Sequence, residues 1–447
     1  MGHGGGSIFK AYDIRGIYGK TLSDDLAYGI GKAFATFLSP RKVVVGRDMR
    51  PHSDPLFLNL ARGLTEMGAD VIDIGVCSTP MSYYANGKLG ADASIMITAS
   101  HNPGEWNGFK LCREQAIPVS GATGIKDIER IVLTGEFAER PAKQGSIIKT
   151  DVLKGYVDHI REFADIRRPL HIAVDYANGM GITEGAVLRG LKNFSIDPLF
   201  DKLDGTFPNH EANPLLEETW DALRHKITSG KYDFGIYFDG DADRCGFMDE
   251  KGQIVTSDIV TALVAEMVLK REKGAPIFYD LRSSWAVKEV IEENGGKPLM
   301  SRVGHAFIKQ QMREEKAVFA GELSGHYYFK ENYFTESSSL AAIFIANLVS
   351  ASNKSLSDLV RPIKRYFGSG EINSEVHDTK SVLAKLKEQY GSKGRSFELD
   401  GFSVEFPDWW FNVRSSNTEP LIRLNLEAKT QAMMEQKRDE ILAVIRA

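Results

Sequence analysis

The stretch Asp233–Arg244, "DFGIYFDGDADR", joins two patterns in one short segment. Its first half is a continuous run of apolar and aromatic residues, the texture of a strand covered on both faces, as in parallel α/β sheets. Its second half puts Asp239, Asp241 and Asp243 at alternate positions. A loop leaving the strand then aims three carboxylates at one point, the donor set of a hard divalent cation. An EF-hand uses similar spacing, and Glu250 even falls at the twelfth place. Arg244, however, occupies the sixth, where the sharp turn needs glycine, and a strand precedes the loop. The other alternative is a solvated acidic turn. Arg244 tips the balance toward function, because a cation beside three carboxylates reaches past a metal to an anionic group such as a phosphate.

Working outward, the same texture recurs. "KVVVG" (42–46), "ADVIDIGV" (69–76), "ASIMITAS" (93–100), "LHIAVDYAN" (170–178), "PIFYDL" (276–281) and "AVFAGEL" (317–323) read as strands, alternating with amphipathic stretches such as "DPLFLNLARGLTEMG". This predicts α/β layers in series. A chain of 447 residues exceeds what one core supports, so three or four domains of about 100 to 150 residues each are expected. Polar stretches at 139–151, 249–258 and 367–375 read as linkers. Past the last, a helix "KSVLAKLKEQYG", a pair of strands around "VEFPDWWFNVRSSNTEPLIRLNLEA" and a final helix suggest a smaller α+β domain. No repeat of fixed period stands out.

Composition narrows the function class. The formal charge of −5 argues against a nucleic-acid surface, without excluding a locally basic cleft for an anionic substrate. Cys77, Cys112 and Cys245 are scattered and form no C-x-x-C pair, which favours packing roles in a reducing compartment, the cytoplasm. The N-terminal "MGHGGGSIFK" lacks a signal-peptide core, and no apolar run is long enough to span a membrane.

Several other stretches carry chemistry, each against a plainer alternative. "ITASHNPGEWNGFK" (97–110) ends a strand in a turn that holds Ser100, His101 and, further on, Lys110; Ser, Asn, Pro and Gly are ordinary turn residues. "NGMGITEG" is an imperfect dinucleotide fingerprint, with Gly179 and Gly181 in place but Glu184 where the third glycine belongs, and "GKT" at 19–21 lacks the first P-loop glycine; neither supports a nucleotide enzyme. "GELSGH" is not a nucleophile elbow, but Glu322 and Ser324 leave a strand end on one side, placed to bond sugar hydroxyls, with His326 beyond them. "VRSSNTEPLIR" sets Ser416, Asn417 and Thr418 between Arg414 and Arg423, donors suited to a phosphate. "SRVGHAFIK" adds Arg302, His305 and Lys309, and "FKAYDIRG" adds Tyr12 and Arg15, any of which is equally readable as a solvated surface residue.

Together these loops, with "GRDMR", form a signature. The chain resembles the α-D-phosphohexomutases, most closely the phosphomannomutase/phosphoglucomutase branch, nearly end to end. The resemblance implies three related α/β domains with mixed sheets plus a smaller C-terminal α+β domain, arranged as a heart around a central cleft. The expected domains span 1–150, 151–255, 256–368 and 369–447. It implies that Ser100 carries a phosphoryl group. Asp239, Asp241 and Asp243 bind Mg²⁺ with that phosphoserine as a further ligand. Substrate contacts map onto Tyr12, Arg244, Arg282, His305, Glu322 and Ser324, and the distal phosphate onto Arg414, Ser416, Asn417 and Thr418, with Arg423 near it. Lys110, His326 and Arg15 are candidates for general acid and base without assignment among them, and His101 supports the phosphoserine. The expected reaction interconverts hexose 1- and 6-phosphates through a hexose 1,6-bisphosphate, which also serves as activator; the expected assembly is a monomer or small homo-oligomer. Val303 and the "GRDMRPHSD" stretch depart from the family pattern. A phosphoglucosamine mutase is the neighbouring alternative, disfavoured by Leu323 where that branch usually has Gln, and a non-catalytic sugar-phosphate binder is the distant one.

Overall fold

The strand-and-loop pattern read around Asp233–Arg244 is built three times. In the computed structural model, which describes residues 8–415 and 421–447, the first sheet contains β1 (Ile14–Ile17), β2 (Lys42–Arg47), β3 (Asp70–Val76), β4 (Ala93–Ile97), β5 (Trp106–Arg113) and β6 (Ile147–Lys149), ordered β1-β5-β4-β2-β3-β6. The second contains β7 (Leu170–Asp175), β8 (Phe194–Leu199), β9 (Phe234–Phe238), β10 (Cys245–Asp249) and β11 (Ile254–Val255), ordered β11-β10-β9-β7-β8. The third contains β12 (Pro276–Asp280), β13 (Lys297–Ser301), β14 (Phe319–Gly321), β15 (Tyr327–Phe329) and β16 (Thr335–Glu336), ordered β13-β12-β14-β15-β16.

These sheets share one topology. β4-β2-β3, β9-β7-β8 and β14-β12-β13 are parallel trios, and in each the outer strand of the trio pairs with an antiparallel return, β5, β10 or β15. The loop between that strand and its return carries Ser100 in the first sheet, the three aspartates in the second, and Glu322, Ser324 and His326 in the third. The three related α/β domains with mixed sheets are therefore present. The repeat lies in topology, which side-chain patterning at a fixed period does not reveal.

The fourth sheet is wholly antiparallel: β17 (Phe367–Glu375), β18 (Arg395–Phe397), β19 (Phe402–Glu405), β20 (Trp409–Ser415) and β21 (Leu421–Ala428), ordered β17-β21-β20-β19-β18. Helices Thr379–Tyr390 and Gln431–Ile445 pack on it, completing the smaller α+β domain. It has five strands where the sequence suggested a pair.

The three polar stretches read as linkers contain strand. The first holds β6, the second the end of β10 and β11, and the third is β17 itself. β6, β11 and β17 are sheet edges, and β6 and β17 are largely exposed, so backbone hydrogen bonds hold them and their side chains need not be apolar. One contiguous apolar core runs through the first three domains, joining Val44, Met96, Ile172, Phe238, Leu263 and Phe319, while the first domain adds a separate core around Phe34, Leu60, Val71 and Phe109 and the fourth domain has its own. All three cysteines are buried and free, as packing residues.

"NGMGITEG" proves to be a packing turn. A Cβ at Gly181 would meet that of Phe238 at 2.6 Å, so glycine lets helix Gly181–Leu188 lie directly on β9, and Met180 N donates to Gly240 O at 2.8 Å, bracing the acidic loop. Glu184 in that helix is fully buried and accepts from Ser78 Oγ, Ser339 Oγ and Tyr156 OH, drawing helical elements of all three α/β domains to one carboxylate. Glu184→Leu orphans those hydroxyls and is expected to cost about 2–4 kcal/mol, read as a lower melting temperature. Burial raises the Glu184 carboxyl above its ordinary 4.5 against the pull of its hydroxyl donors. The fold thus favours its protonated form, and its contribution is full below 4.5 and declines as pH rises through the folded value. The leucine variant should lack that slope.

Candidate active site

Ser100, in the loop three residues past β4, lies in the left-handed region, φ 52°, and its side chain is almost wholly buried. Its amide donates to Thr98 Oγ1 at 3.0 Å, and Oγ donates to Asp239 Oδ2 at 3.0 Å and lies 3.3 Å from His101 Nδ1. The approach of the serine and acidic loops is close: a Cβ on Gly240 would meet Ser100 O at 2.4 Å, which explains the glycine between two aspartates. Arg50 encloses the serine loop from behind. Its guanidinium donates to the carbonyls of Ser100 (3.0 Å), Asn102 (2.7 Å), Pro103 (2.6 Å) and Trp106 (3.0 Å), with Nε on Asp48 at 3.0 Å.

The carboxylates of Asp239, Asp241 and Asp243 are buried and converge within metal-ligand reach of one another. Burial and the neighbouring Asp243 and Asp241 push Asp239 well above the carboxylate range, a repulsion a divalent cation relieves. Asp241 Oδ1 and Asp243 Oδ1 are buried without a hydrogen-bond partner among the described residues. All-oxygen donors, mutual repulsion and these unpartnered atoms fit a hard cation. Thr79, the first residue of the helix Thr79–Lys88 of the first domain, donates to Asp241 Oδ2 at 2.6 Å. Glu250 lies outside this cluster and accepts from Ser357, which disposes of the EF-hand reading.

Lys110 on β5 reaches Asp241 Oδ2 at 2.8 Å and also pairs with Asp243. Burial opposes its charge, but the two aspartates outweigh it and raise its pKa. Arg15 pairs with Asp13 (2.7 Å) and donates to Asn102 Oδ1 (2.7 Å) in the serine loop. Burial, with Arg244 and Arg15 nearby, keeps the His101 imidazole well below its usual range and so neutral.

From the third sheet, His326 enters the same centre, 3.5 Å from Asp243 Oδ1, 3.4 Å from Glu322 Oε2 and 3.2 Å from Arg244 Nε. Burial and Arg244 lower its pKa, but Asp243 and Glu322 prevail and leave it raised to about 9. Glu322 accepts from Gly304 N (3.1 Å) and Tyr328 OH; burial works against its charge, yet His326, Tyr328 and Arg282 hold it at about 2. Ser324 Oγ sits 2.9 Å from His326 Nδ1.

Tyr12 and His305 lie ring to ring at 5.4 Å. Arg282, Arg414 and Arg423 form a second cluster around Glu371. Ser416, Asn417 and Thr418 lie outside the described residues. Lys309 is fully buried against Glu336 at 2.7 Å and so is not the solvated surface residue of the plainer alternative. No motif in the sequence singles out Thr79 or Glu371, and Arg50 is visible only as the last residue of "GRDMR".

Four domain families match in chain order. They are described as phosphoglucomutase/phosphomannomutase alpha/beta/alpha domain I (residues 6–139), domain II (154–252), domain III (256–366) and the C-terminal domain (371–444). A phosphomannomutase of Escherichia coli is 41% identical over 452 residues, covering 98% of this chain and 99% of that protein. One from Methanocaldococcus jannaschii is 41% identical over 444 residues, covering 98% and 97%. The crystal structure of a phosphoglucomutase/phosphomannomutase family protein from Burkholderia thailandensis superposes with a TM-score of 0.91 at 33% identity, covering 98% and 97%. No helix among the described residues is long and apolar enough to cross a membrane.

Proposed function

The chain belongs to the phosphoglucomutase/phosphomannomutase family, and from that premise we propose that it moves a phosphoryl group reversibly between C1 and C6 of mannose or glucose phosphates. It is a phosphohexomutase. The observation that carries the residue assignment is Ser100 Oγ, 3.0 Å from Asp239 in a buried pocket shared with Lys110 and Arg244.

In the proposed cycle Ser100 starts as phosphoserine. The P–Oγ bond breaks as a bond forms from phosphorus to the free hydroxyl of a hexose monophosphate, and the hydroxyl proton passes to the serine oxygen. The bisphosphate turns over and the reverse transfer returns its other phosphate to Ser100. Arg244 and Lys110 place positive charge beside the transferring group, and the Arg282, Arg414 and Arg423 cluster holds the remote phosphate for in-line attack. Glu322 and Ser324 orient the sugar hydroxyls. Neutral His101, 3.3 Å from Oγ, is suited to accept the serine proton, while Lys110, Arg15 and His326 are held protonated as donors. Mg²⁺, held by Asp239, Asp241, Asp243 and the phosphoserine, would supply Lewis-acid offset of the developing charge. The three free, buried cysteines support a cytoplasmic setting.

The test is to assay mannose, glucose and glucosamine 1-phosphates side by side with a hexose 1,6-bisphosphate present. Turnover of the first two, abolished by EDTA, restored by Mg²⁺ and indifferent to NAD, is expected. Preference for the glucosamine compound would replace the substrate assignment, and conversion of none would make this a binding protein.

A further inference from the structure

The bulge in β17 between Gly368 and Glu371, with Gly370 at φ 67°, re-aims Glu371 into the interface between the third and fourth domains. There its carboxylate meets donors from both. Oε2 accepts from Arg414 Nη2 at 3.0 Å, Arg282 Nη1 at 3.4 Å and Asn425 Nδ2 at 3.4 Å, and Oε1 from Arg423 Nη1 at 3.3 Å.

Arg414 and Arg423 stand directly opposite each other on β20 and β21, where like charges repel. Arg282 comes from the end of β12 and is already paired with Asp280 through Nε at 2.9 and 3.0 Å. Counting that pair as neutral, Glu371 leaves one uncompensated positive charge in the cluster. The Nε atoms of Arg414 and Arg423 are buried without a hydrogen-bond partner among the described residues. Asp280 in turn accepts from Leu323 N at 3.2 Å, in the loop that carries Glu322 and Ser324. A continuous polar chain therefore links that loop, through Asp280 and Arg282, to Glu371 and the arginines of the fourth domain.

We propose that Glu371 is a positioning residue that keeps Arg282, Arg414 and Arg423 converged on the remote phosphate of the substrate and couples that grip to the sugar-facing loop. This rests on the mutase reading above. Charge counting alone predicts the opposite sign, since a carboxylate among arginines competes with phosphate and its removal should tighten binding. The positioning role predicts weaker binding, because the guanidiniums lose the anion that holds them together.

Full-length Glu371→Gln and Glu371→Ala are compared with the wild type for steady-state turnover of mannose and glucose 1-phosphates, inhibition by inorganic phosphate, phosphoserine occupancy by intact mass, and melting temperature. For Glu371→Gln, which keeps the side-chain shape, KM and the inhibition constant for phosphate are expected to rise about tenfold. The fall in kcat should be smaller, and occupancy of the distant Ser100 should hold. Unchanged or lower constants, or a loss confined to kcat, would overturn the proposal. If the wild type turns over neither sugar phosphate, the mutase reading fails, and the phosphate inhibition constant is replaced by direct phosphate titration, which still decides the sign for Glu371.

Discussion

Ser100→Ala is expected to reduce turnover at least about 10³-fold while leaving a folded protein. The folding part follows from how little else the hydroxyl does. Among the described residues Oγ hydrogen-bonds only to Asp239 and His101, and the serine backbone is held by Thr98 and Arg50 through main-chain atoms that alanine retains. Alanine at φ 52° carries a strain of about 1 kcal/mol, a small fraction of a domain's stability. The activity part follows from covalent chemistry, since without Oγ no phosphoryl group is carried between turnovers. Wild type treated with hexose 1,6-bisphosphate should gain one phosphoryl group, adding about −1.5 to −2 charge at pH 7, located on Ser100 by phosphopeptide mapping. The variant should gain none. A phosphoryl group on another residue, or a variant retaining full activity, would remove Ser100 from the role assigned to it.

How much of this was readable beforehand depends on which interactions a residue makes. Continuous apolar strands such as 93–97 and 234–238 are legible because burial on both faces dictates their side chains. Edge strands such as β6 and β17 are not, because one side meets water and main-chain bonds suffice. The three converging aspartates are legible because their alternate spacing by itself brings carboxylates together. Arg50 and Thr79 are opaque for the opposite reason: they act on main-chain carbonyls and on a carboxylate remote in sequence, and nothing in the local pattern announces the partner. Glu371 was hidden inside "FGSGEINSE", whose glycines look like a linker and in fact form a bulge in a strand. The imperfect nucleotide fingerprint erred the other way. Its glycines are real, but they serve close packing of helix on strand, and Glu184 stands where the motif wants glycine because it ties domains together.

Arg50→Ala should be as damaging as removal of the serine, by another route. The side chains of Arg50 and Asp48 are fully buried, and every arm of the guanidinium is engaged: Nε on Asp48, Nη1 on Pro103 and Trp106, Nη2 on Ser100 and Asn102. Its removal strands the Asp48 carboxylate without a counterion and leaves buried carbonyls unpaired, a loss expected to reach about 3–5 kcal/mol. A stability change of that size shows as a sharp drop in melting temperature and soluble yield, which masks any effect on the reaction. Arg50→Lys separates the two. Lysine keeps the charge for Asp48, so much of the stability should return. Its single ammonium cannot span four carbonyls in the plane that a guanidinium matches. The serine loop then loosens where Ser100 must hold φ 52°, and a displacement of about 1 Å costs roughly 10²-fold in rate. The expected signature for the lysine variant is therefore a near-normal melting temperature, KM close to wild type and kcat down by about two orders of magnitude, with phosphorylation of Ser100 by the bisphosphate slowed in parallel. A lysine variant with normal kcat would mean that the loop holds its conformation without the guanidinium, and that Arg50 serves stability alone.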